Sequence, residues 1–361
     1  MPFFVLTLLL LTIGVIMVLS SSFARAYAQG KSPTYYFVRQ AAFAVAGVVA
    51  MILLSKVRMV TYRRLSLLVL GVSIFLLAVV WIPHIGTRVN GARRWLSLGF
   101  TTFQPSEIAK IAVVLFFSSM ICTYKEQMQT FRYGVVPFRV VPVTIVGLLM
   151  LEPHLSASII IMALAIVMMF VGGIKLSYLL VGMGSAGALL LIASKFVPYV
   201  HKRIVSWRDP FADTSAAGYQ IVQSLYSIGS GGFLGLGLGQ SRQKYLYLPE
   251  EHNDYIFSIV CEELGYVGAI AILILFALLI NRGYWIAAHS PDRYSFLVGI
   301  GITTLLSIQV FLNIAVVTNL IPCTGISLPF FSYGGTALLM QLGEMGIILS
   351  ISRDIPTKKA R

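Results

Sequence analysis

Long apolar stretches separated by short polar ones run along almost the whole chain. A membrane-crossing helix needs about 20 mostly apolar residues, and the pattern predicts about ten such helices. The predicted spans are residues 3–20, 38–55, 65–81, 108–123, 140–151, 157–171, 176–196, 256–280, 296–320 and 336–352. Glu152, Pro153 and His154 separate the short fifth and sixth spans, which favours a tight helical hairpin; one re-entrant pair is the alternative. We therefore expect an all-α polytopic membrane protein.

Composition supports this class. Hydrophobic residues make up 58% of the 361 residues and charged residues only 11%. A soluble domain carries about 25% charged residues, so this chain has too few polar groups to cover a water-facing surface. The first apolar run is longer than the roughly 7–15 residues of a signal peptide, and we expect it to be a retained helix. We expect a single membrane domain over residues 1–361.

The basic residues predict the orientation of the helices. With ten spans, both termini lie on one side of the membrane, and that side receives most of the Lys and Arg residues of the short loops. The positive-inside rule then places both termini in the cytoplasm. One large extracellular loop, about residues 197–255, would connect helices 7 and 8.

The net charge of +14 comes from 27 Lys and Arg residues against 13 Asp and Glu residues. Anionic lipid of the inner leaflet accounts for the basic residues at cytoplasmic helix ends, so we expect no nucleic-acid partner. The positive-inside rule disfavours the external basic residues, which are Arg88, Arg93, Arg94, Arg242 and Lys244. Two interpretations stay open for them: an anionic ligand, or side chains that reach lipid phosphates.

The first external motif covers residues 90–110. Pro105 and Glu107 predict a helix start, because Pro suits the first turn and an acidic side chain suits the positive end of a helix. Glu107 and Lys110 are spaced to form an ion pair. One interpretation is an interfacial amphipathic loop anchored by Trp95, and the other is a cationic clamp for a lipid-linked phosphate.

The second motif is the glycine-dense stretch at residues 229–240. No strand precedes it and no phosphate-binding Lys-Ser pair follows in register, which argues against a nucleotide loop. We expect backbone that turns tightly or closely approaches a ligand.

An acidic cluster follows at the mouth of the eighth span. It consists of Glu250, Glu251, His252 and Asp254, with Glu262 and Glu263 inside the span. Carboxylates within a membrane are costly and usually functional. Asp254 lies at the boundary between water and membrane, where a partly desolvated carboxylate can still reach a substrate. The alternative is a helix N-cap, a position that Asp favours.

The last motif, residues 321–335, places two prolines and three glycines in an apolar segment. Irregular backbone near a membrane is tolerated where it is buried or lines a cavity. A structural turn between helices is the equally open alternative.

Together these segments resemble the SEDS family of shape, elongation, division and sporulation proteins. The resemblance covers nearly the whole chain, and it rests on residues 91–95, 103–107, 247–250, 254–257, 262–265 and 325–335. Gln243 and Lys244 make the chain more similar to division and sporulation members than to elongation members. His154 stands where the family usually has Asp, which weakens any role assigned to that turn, and Asn253 stands where Thr is common.

The resemblance implies a glycosyltransferase that polymerises lipid II, an undecaprenyl-pyrophosphate-linked disaccharide-peptide, outside the bacterial cytoplasmic membrane. It would act at the division septum or in sporulation, with a class B penicillin-binding transpeptidase and other divisome proteins as partners. Asp254 would be the general base of an inverting transfer. Basic residues would stabilise the leaving pyrophosphate; they are Arg93, Arg94, Arg242 and Lys244. A divalent cation, Mg or Mn, could share that role, with Glu250, Glu251 and Asp254 as candidate ligands.

The predicted substrate-binding residues lie in these motifs or, for Arg242 and Lys244, between the second and third of them. They are Arg93, Arg94, Trp95, Gln104, Ser106, Glu107, Lys110, Arg242, Lys244, Glu250, Ser327, Ser332 and Tyr333. Two other functions remain alternatives: a flippase that moves lipid II across the membrane, and a non-catalytic scaffold for the division machinery. The first predicts lipid movement without new glycosidic bonds, and the second predicts that changes at Asp254 are harmless.

Overall fold

The structure is a computed structural model that describes residues 1–82, 85–89, 92–97, 99, 101–152, 154–184, 187, 198–212 and 216–355. Helices dominate it. They are α1 Pro2–Ala28, α2 Tyr35–Ser55, α3 Met59–Val80, α4 Pro105–Tyr124, α5 Val136–Leu151, α6 Leu155–Val171, α7 Pro198–Arg208, α8 Ala216–Ser230, α9 Ile256–Ala288, α10 Arg293–Val317 and α11 Gly335–Arg353. A short 3-10 helix, Lys125–Gln129, and a π-helical turn, Phe131–Val135, connect α4 to α5.

The predicted fold class is confirmed. Within the described ranges, 8 helical stretches are long and apolar enough to cross a membrane, and α6 is a shorter apolar helix. Of the predicted span at residues 176–196, residues 176–184 and 187 are helical and the others lie outside the described residues. The chain is therefore an all-α polytopic membrane protein.

Two predicted loops contain regular structure. Within residues 86–103, three short strands form a small antiparallel sheet, with β1 Gly86–Val89, β2 Ala92–Ser97 and β3 Thr102–Phe103 in the order β1-β2-β3. The predicted large loop at residues 197–255 contains α7 and α8. The three strands and the helices α7 and α8 are short and contain no long apolar run, so hydropathy alone did not indicate them.

The chain divides into two compact units. The first comprises Met1–Val45, Gly184–Leu279 and Ile308–Leu338, and the second comprises Ala46–Met183, Ile280–Ser307 and Leu339–Arg361. In the second unit, α4 packs against α3, α5 and α6, and β2 contacts α3 and α4. In the first unit, Gly14 of α1 lies against the main chain of Phe330.

Helix α9 is interrupted at Gly265, whose φ of 67° and ψ of −171° are not helical. The glycine segment, defined as residues 231–239, replaces the hydrogen bonds that this break removes. Two of its amides donate to the carbonyls of residues 262 and 263 at 3.0 Å, and two of its carbonyls accept from the amides of residues 266 and 267 at 2.9 and 3.1 Å. Backbone groups in a membrane must be satisfied within the protein, and the glycine segment does this for the interrupted helix.

Glycine is required in this segment because the two backbones touch. A Cβ atom at Gly231 would lie 2.0 Å from the carbonyl oxygen of Cys261. At Gly235 it would lie 2.2 Å from the carbonyl oxygen of Glu263, and φ there is +80°. The close approach expected from the sequence is therefore an approach to the protein's own helix.

Gly231→Ala is expected to destabilise the protein by about 1–3 kcal/mol, because the added methyl group must displace backbone. Gly229→Ala is the matched control, since nothing lies within 4 Å of a Cβ atom there. Denaturant unfolding of both variants in detergent measures the effect. Equal stability of the two variants would contradict the proposed contact.

Candidate active site

Asp254 lies in the turn that leads into α9, which begins at Ile256. The three successive main-chain carbonyls of residues 252–254 each accept a hydrogen bond. The donors are the amide of Tyr333 at 2.8 Å, the hydroxyl of Ser332 at 2.8 Å and the side-chain amide of Asn313 at 2.7 Å. Three hydrogen bonds thereby hold the backbone of the turn that carries the half-buried Asp254 carboxylate.

The donors are themselves held in place. The hydroxyl of Ser332 also accepts the amide of Leu328 at 2.7 Å, and the second Asn313 amide contact is to the carbonyl of Ile326 at 2.7 Å. The irregular segment at residues 321–334 thus acts as a bracket for the Asp254 turn. Sequence reasoning missed Asn313, although a buried amide within an apolar span was a usable signal.

Glu251 is bound to the last turn of α1. The Nε and Nη2 atoms of Arg25 donate to its two carboxylate oxygens at 2.8 and 2.7 Å, and Glu251 is 0% exposed. Burial acts to raise the pKa of Glu251, but His252 and Arg25 beside it lower that pKa below its ordinary value. Glu251 therefore ties α1 to the turn that carries Asp254.

The described residues do not fit a protein-made metal cage. No group of three His, Cys, Asp or Glu side chains among them is arranged to hold a metal ion. Both oxygens of the candidate ligand Glu251 accept from Arg25, and a carboxylate oxygen of the half-buried Glu250 accepts from Asn253. The divalent cation therefore stays a prediction.

The two carboxylates inside α9 serve the loop that precedes the helix. Glu263 pairs with Lys244 at 3.0 Å and accepts the hydroxyl of Ser20. Glu262 accepts the hydroxyls of Ser227 and Ser241. Glu262 and Glu263 therefore have a structural role, holding the preceding loop against α9, that the sequence did not indicate.

The two predicted basic contacts of this loop differ in environment. Lys244 is only 3% exposed and its charge is balanced by Glu263, so the geometry favours a structural role over a phosphate contact. The Arg242 side chain is exposed and lines an open hollow with Gln243, Tyr245 and Tyr247, while its amide binds Glu262. Of these two predicted contacts, Arg242 is therefore the one whose side chain is accessible to a ligand.

Other predicted residues of the first unit lie in this bracket or, for Glu250, just before the Asp254 turn. Tyr333 packs its ring edge-on against Tyr36 at 4.9 Å, and burial raises the pKa of Tyr333. Ser327 is half-buried in the irregular segment. Glu250 has a φ of 57°, an uncommon backbone conformation at a non-glycine residue.

The second unit holds the remaining predicted residues. Half-buried Arg93, Arg94 and Trp95 lie on β2. Helix α4 begins at Pro105 as predicted, and the expected ion pair between Glu107 and Lys110 is present at 2.8 Å with both residues buried. These confirmed features depend only on local sequence spacing.

A polar cluster that the sequence did not predict surrounds the start of α4. Gln104, directly before the helix, contacts the Nε2 atom of His154 at 3.3 Å, and the Nε atom of Arg94 donates to the carbonyl of Glu152 at 3.3 Å. Ser106 is buried in the first turn of α4. Further along the membrane interior, buried Glu344 of α11 lies within electrostatic reach of Lys110.

Burial raises the pKa of Glu152 to about 8, against a smaller opposing effect from Arg94. Because the folded pKa lies above the ordinary value of 4.5, this group stabilises the fold fully below that value and loses its contribution as pH rises through about 8. Wild-type protein should therefore lose thermal stability between pH 6 and about 9 more steeply than Glu152→Gln. Thermal unfolding across this pH range tests it, with Glu126→Gln at an exposed position as control. Identical slopes for wild type and Glu152→Gln would contradict the assignment.

The chain is similar to known proteins over nearly its whole length. The FtsW/RodA/SpoVE family model, described as a cell cycle protein, matches residues 1–356. Stage V sporulation protein E of Bacillus subtilis (strain 168) is 42% identical over 353 residues, covering 97% of this chain and 95% of that protein. A probable peptidoglycan glycosyltransferase FtsW of Saccharophagus degradans is 40% identical, covering 96% and 90% of the two chains.

Two solved structures share the fold. One, from a study of the structural coordination of polymerization and crosslinking by a peptidoglycan synthase complex, has a TM-score of 0.81, 27% identity, and coverage of 98% of this chain and 97% of that chain. The rod shape determining protein RodA of Thermus thermophilus has a TM-score of 0.70, 26% identity, and coverage of 99% and 97%. The predicted resemblance is confirmed across nearly the whole chain, and the protein belongs to the FtsW/RodA/SpoVE family of cell cycle proteins.

Proposed function

We propose that this protein is a peptidoglycan glycosyltransferase that polymerises lipid II into glycan strands. The observation that carries the proposal is the Asp254 turn, in which three hydrogen bonds fix the backbone of a carboxylate at the mouth of a membrane helix. Relatives named as probable peptidoglycan glycosyltransferases support the reaction class.

The reaction joins a sugar hydroxyl of one substrate to the anomeric carbon of another. The new carbon–oxygen bond forms as the bond to the pyrophosphate breaks, and the hydroxyl proton moves to the Asp254 carboxylate. A positioned base of this kind contributes roughly 10²–10⁴-fold in rate, provided that it stays within hydrogen-bond reach of the proton. Attack opposite the leaving group inverts an α-linked donor and gives a β-1,4 bond.

Fixing the turn serves this chemistry directly. Small errors in the position of a catalytic group cost large factors in rate. Asn313 acts through the main-chain carbonyl of Asp254 and Ser332 through that of the preceding Asn253, which makes them positioning residues.

The leaving pyrophosphate needs positive charge as the bond breaks. Arg242 supplies it in the first unit because its side chain is exposed, whereas the charge of Lys244 is already balanced by Glu263. The predicted substrate contacts at Arg93 and Arg94 of the sheet stay predictions.

The protein acts in the bacterial cytoplasmic membrane with both termini inside, and its partner is a class B penicillin-binding transpeptidase that crosslinks the strands. The structural relative from a complex that coordinates polymerization with crosslinking supports the pairing. A family model described as a cell cycle protein and a relative named for sporulation support a role in division or sporulation, with the septum as the site.

The test uses protein reconstituted with its transpeptidase in vesicles that contain lipid II. Glycan strands and movement of lipid II between leaflets are measured in the same preparation. Strand formation supports the proposal, whereas movement without new glycosidic bonds would assign the protein as a flippase. Neither activity from folded, partner-bound protein would favour a scaffold.

A further inference from the structure

Gln40 is a buried amide in a predominantly apolar helix, and both of its polar groups bind the same short stretch of main chain. It lies on α2 and is 0% exposed. Its side-chain nitrogen donates to the carbonyl of Ser332 at 3.1 Å, and its side-chain oxygen accepts the amide of Gly334 at 3.2 Å. A buried amide that uses both a donor and an acceptor in this way holds its partner in one orientation.

A second residue of α2 contacts the same stretch. Tyr36 precedes Gln40 by four positions, so the two side chains lie on the same face of the helix. The ring of Tyr36 packs against that of Tyr333 at 4.9 Å and against that of His252 at 4.8 Å. One face of α2 therefore holds residues 332–334 with an amide and an aromatic ring.

The stretch that Gln40 binds is the part of the bracket that reaches the Asp254 turn. The hydroxyl of Ser332 and the amide of Tyr333 donate to the carbonyls of residues 253 and 252, each at 2.8 Å. Gln40 binds the peptide groups on either side of Tyr333. Two of the three hydrogen bonds that hold the turn therefore come from main chain that Gln40 fixes.

We propose that Gln40 is a positioning residue for the Asp254 base and acts through the bracket. A general base must stay within hydrogen-bond reach of the proton that it accepts, and a displacement of about 1 Å can cost about 10²-fold in rate. The inference rests on the proposed function, because it assigns Gln40 a part in that reaction.

Gln40→Met removes both hydrogen bonds and keeps an unbranched side chain of about the same length. In protein reconstituted with its transpeptidase, the rate of strand formation at saturating lipid II should fall by about 10–10²-fold. Binding of lipid II should stay within about twofold of the wild type, because the lost contacts position a group that acts in the transition state. A residue that only supports the fold or only binds substrate would not separate the rate from the binding.

Gln309→Met is the matched control, because Gln309 is a buried amide of α10 outside the bracket. It is 2% exposed, and its side-chain oxygen has no hydrogen-bond partner among the residues that the structure describes. Gln309→Met should form strands at the wild-type rate. Gln40→Asn is a second test variant in case Gln40→Met does not fold. It keeps an amide but is one methylene group too short to bind both main-chain groups, so it should show the same separation.

A double variant tests the route through the bracket. Ser332→Ala removes the hydrogen bond to the carbonyl of residue 253 directly. In that background Gln40→Met should lower the rate by a smaller factor than it does in the wild type, because part of what Gln40 holds has already been released.

A wild-type rate in folded Gln40→Met or Gln40→Asn would overturn the inference. Loss of lipid II binding in proportion to the loss of rate would overturn it as well, and so would full multiplication of the effects of Gln40→Met and Ser332→Ala. In each of these results the wild type forms strands, so the proposed function stands. Absence of strands from the wild type would contradict the proposed function and the inference with it.

Discussion

Asp254→Asn is expected to reduce the rate of strand formation by about 10²–10⁴-fold, the usual contribution of a general base. The amide has almost the same shape as the carboxylate but cannot accept the proton. The bonds to residues 252–254 involve main-chain carbonyls, so the substitution leaves the bracket intact.

Initial rates with lipid II measure this effect, with thermal unfolding and transpeptidase binding as checks on the fold. Asp209→Asn is the control, because Asp209 is an exposed carboxylate outside the turn. A rate for Asp254→Asn within a factor of about ten of the wild type would remove Asp254 from the base role.

Arg25→Met should destabilise the protein by about 3–5 kcal/mol, the usual effect of leaving one partner of a buried ion pair uncompensated. The cause is Glu251, whose carboxylate at 0% exposure would lose both guanidinium hydrogen bonds and keep only His252 beside it, at 3.6 Å. Replacing both residues, as in Arg25→Met with Glu251→Leu, should recover most of the loss because no buried charge remains.

Arg353→Met is the matched control. Its pair with Asp354 at 3.6 Å has side chains 46% and 42% exposed, and such surface pairs contribute roughly 0–1 kcal/mol. Denaturant unfolding in detergent compares the three variants. The account would be contradicted by equal stability of the two single variants, or by a double variant no more stable than Arg25→Met.

The sequence predicted the features that depend on local pattern. Apolar runs of membrane-spanning length gave the helices, and Pro105 with the spacing of Glu107 and Lys110 gave a helix start and its ion pair. The short sheet was missed because its strands are only a few residues long and β2 places two basic residues next to each other, so neither strand shows a regular alternation of polar and apolar side chains.

Features that join distant parts of the chain were not predictable. Arg25 and Glu251 are 226 residues apart, and each alone has the pattern of a solvated charge. The glycine segment was expected to approach something closely, but only the break at Gly265 reveals that its partner is α9. Lys244 likewise seemed available to a phosphate until Glu263 was found beside it.

The candidate site shows the same difference between features of local sequence pattern and features that join distant segments. Asp254 was singled out by its position at the mouth of the eighth span, the resemblance added its role as general base, and the structure adds the three hydrogen bonds that hold its turn. Asn313 of α10 carried a usable signal, an amide within an apolar span, but its partner in that turn could be identified only once the fold had brought the two segments together.

The most direct test of the central claim is the chemical linkage in the product of purified protein, its transpeptidase and lipid II. The account predicts strands joined by β-1,4 bonds, formed from an α-linked donor with release of undecaprenyl pyrophosphate. α-Linked strands would contradict the inverting mechanism, and intact lipid II after incubation with the folded complex would contradict the polymerase assignment itself.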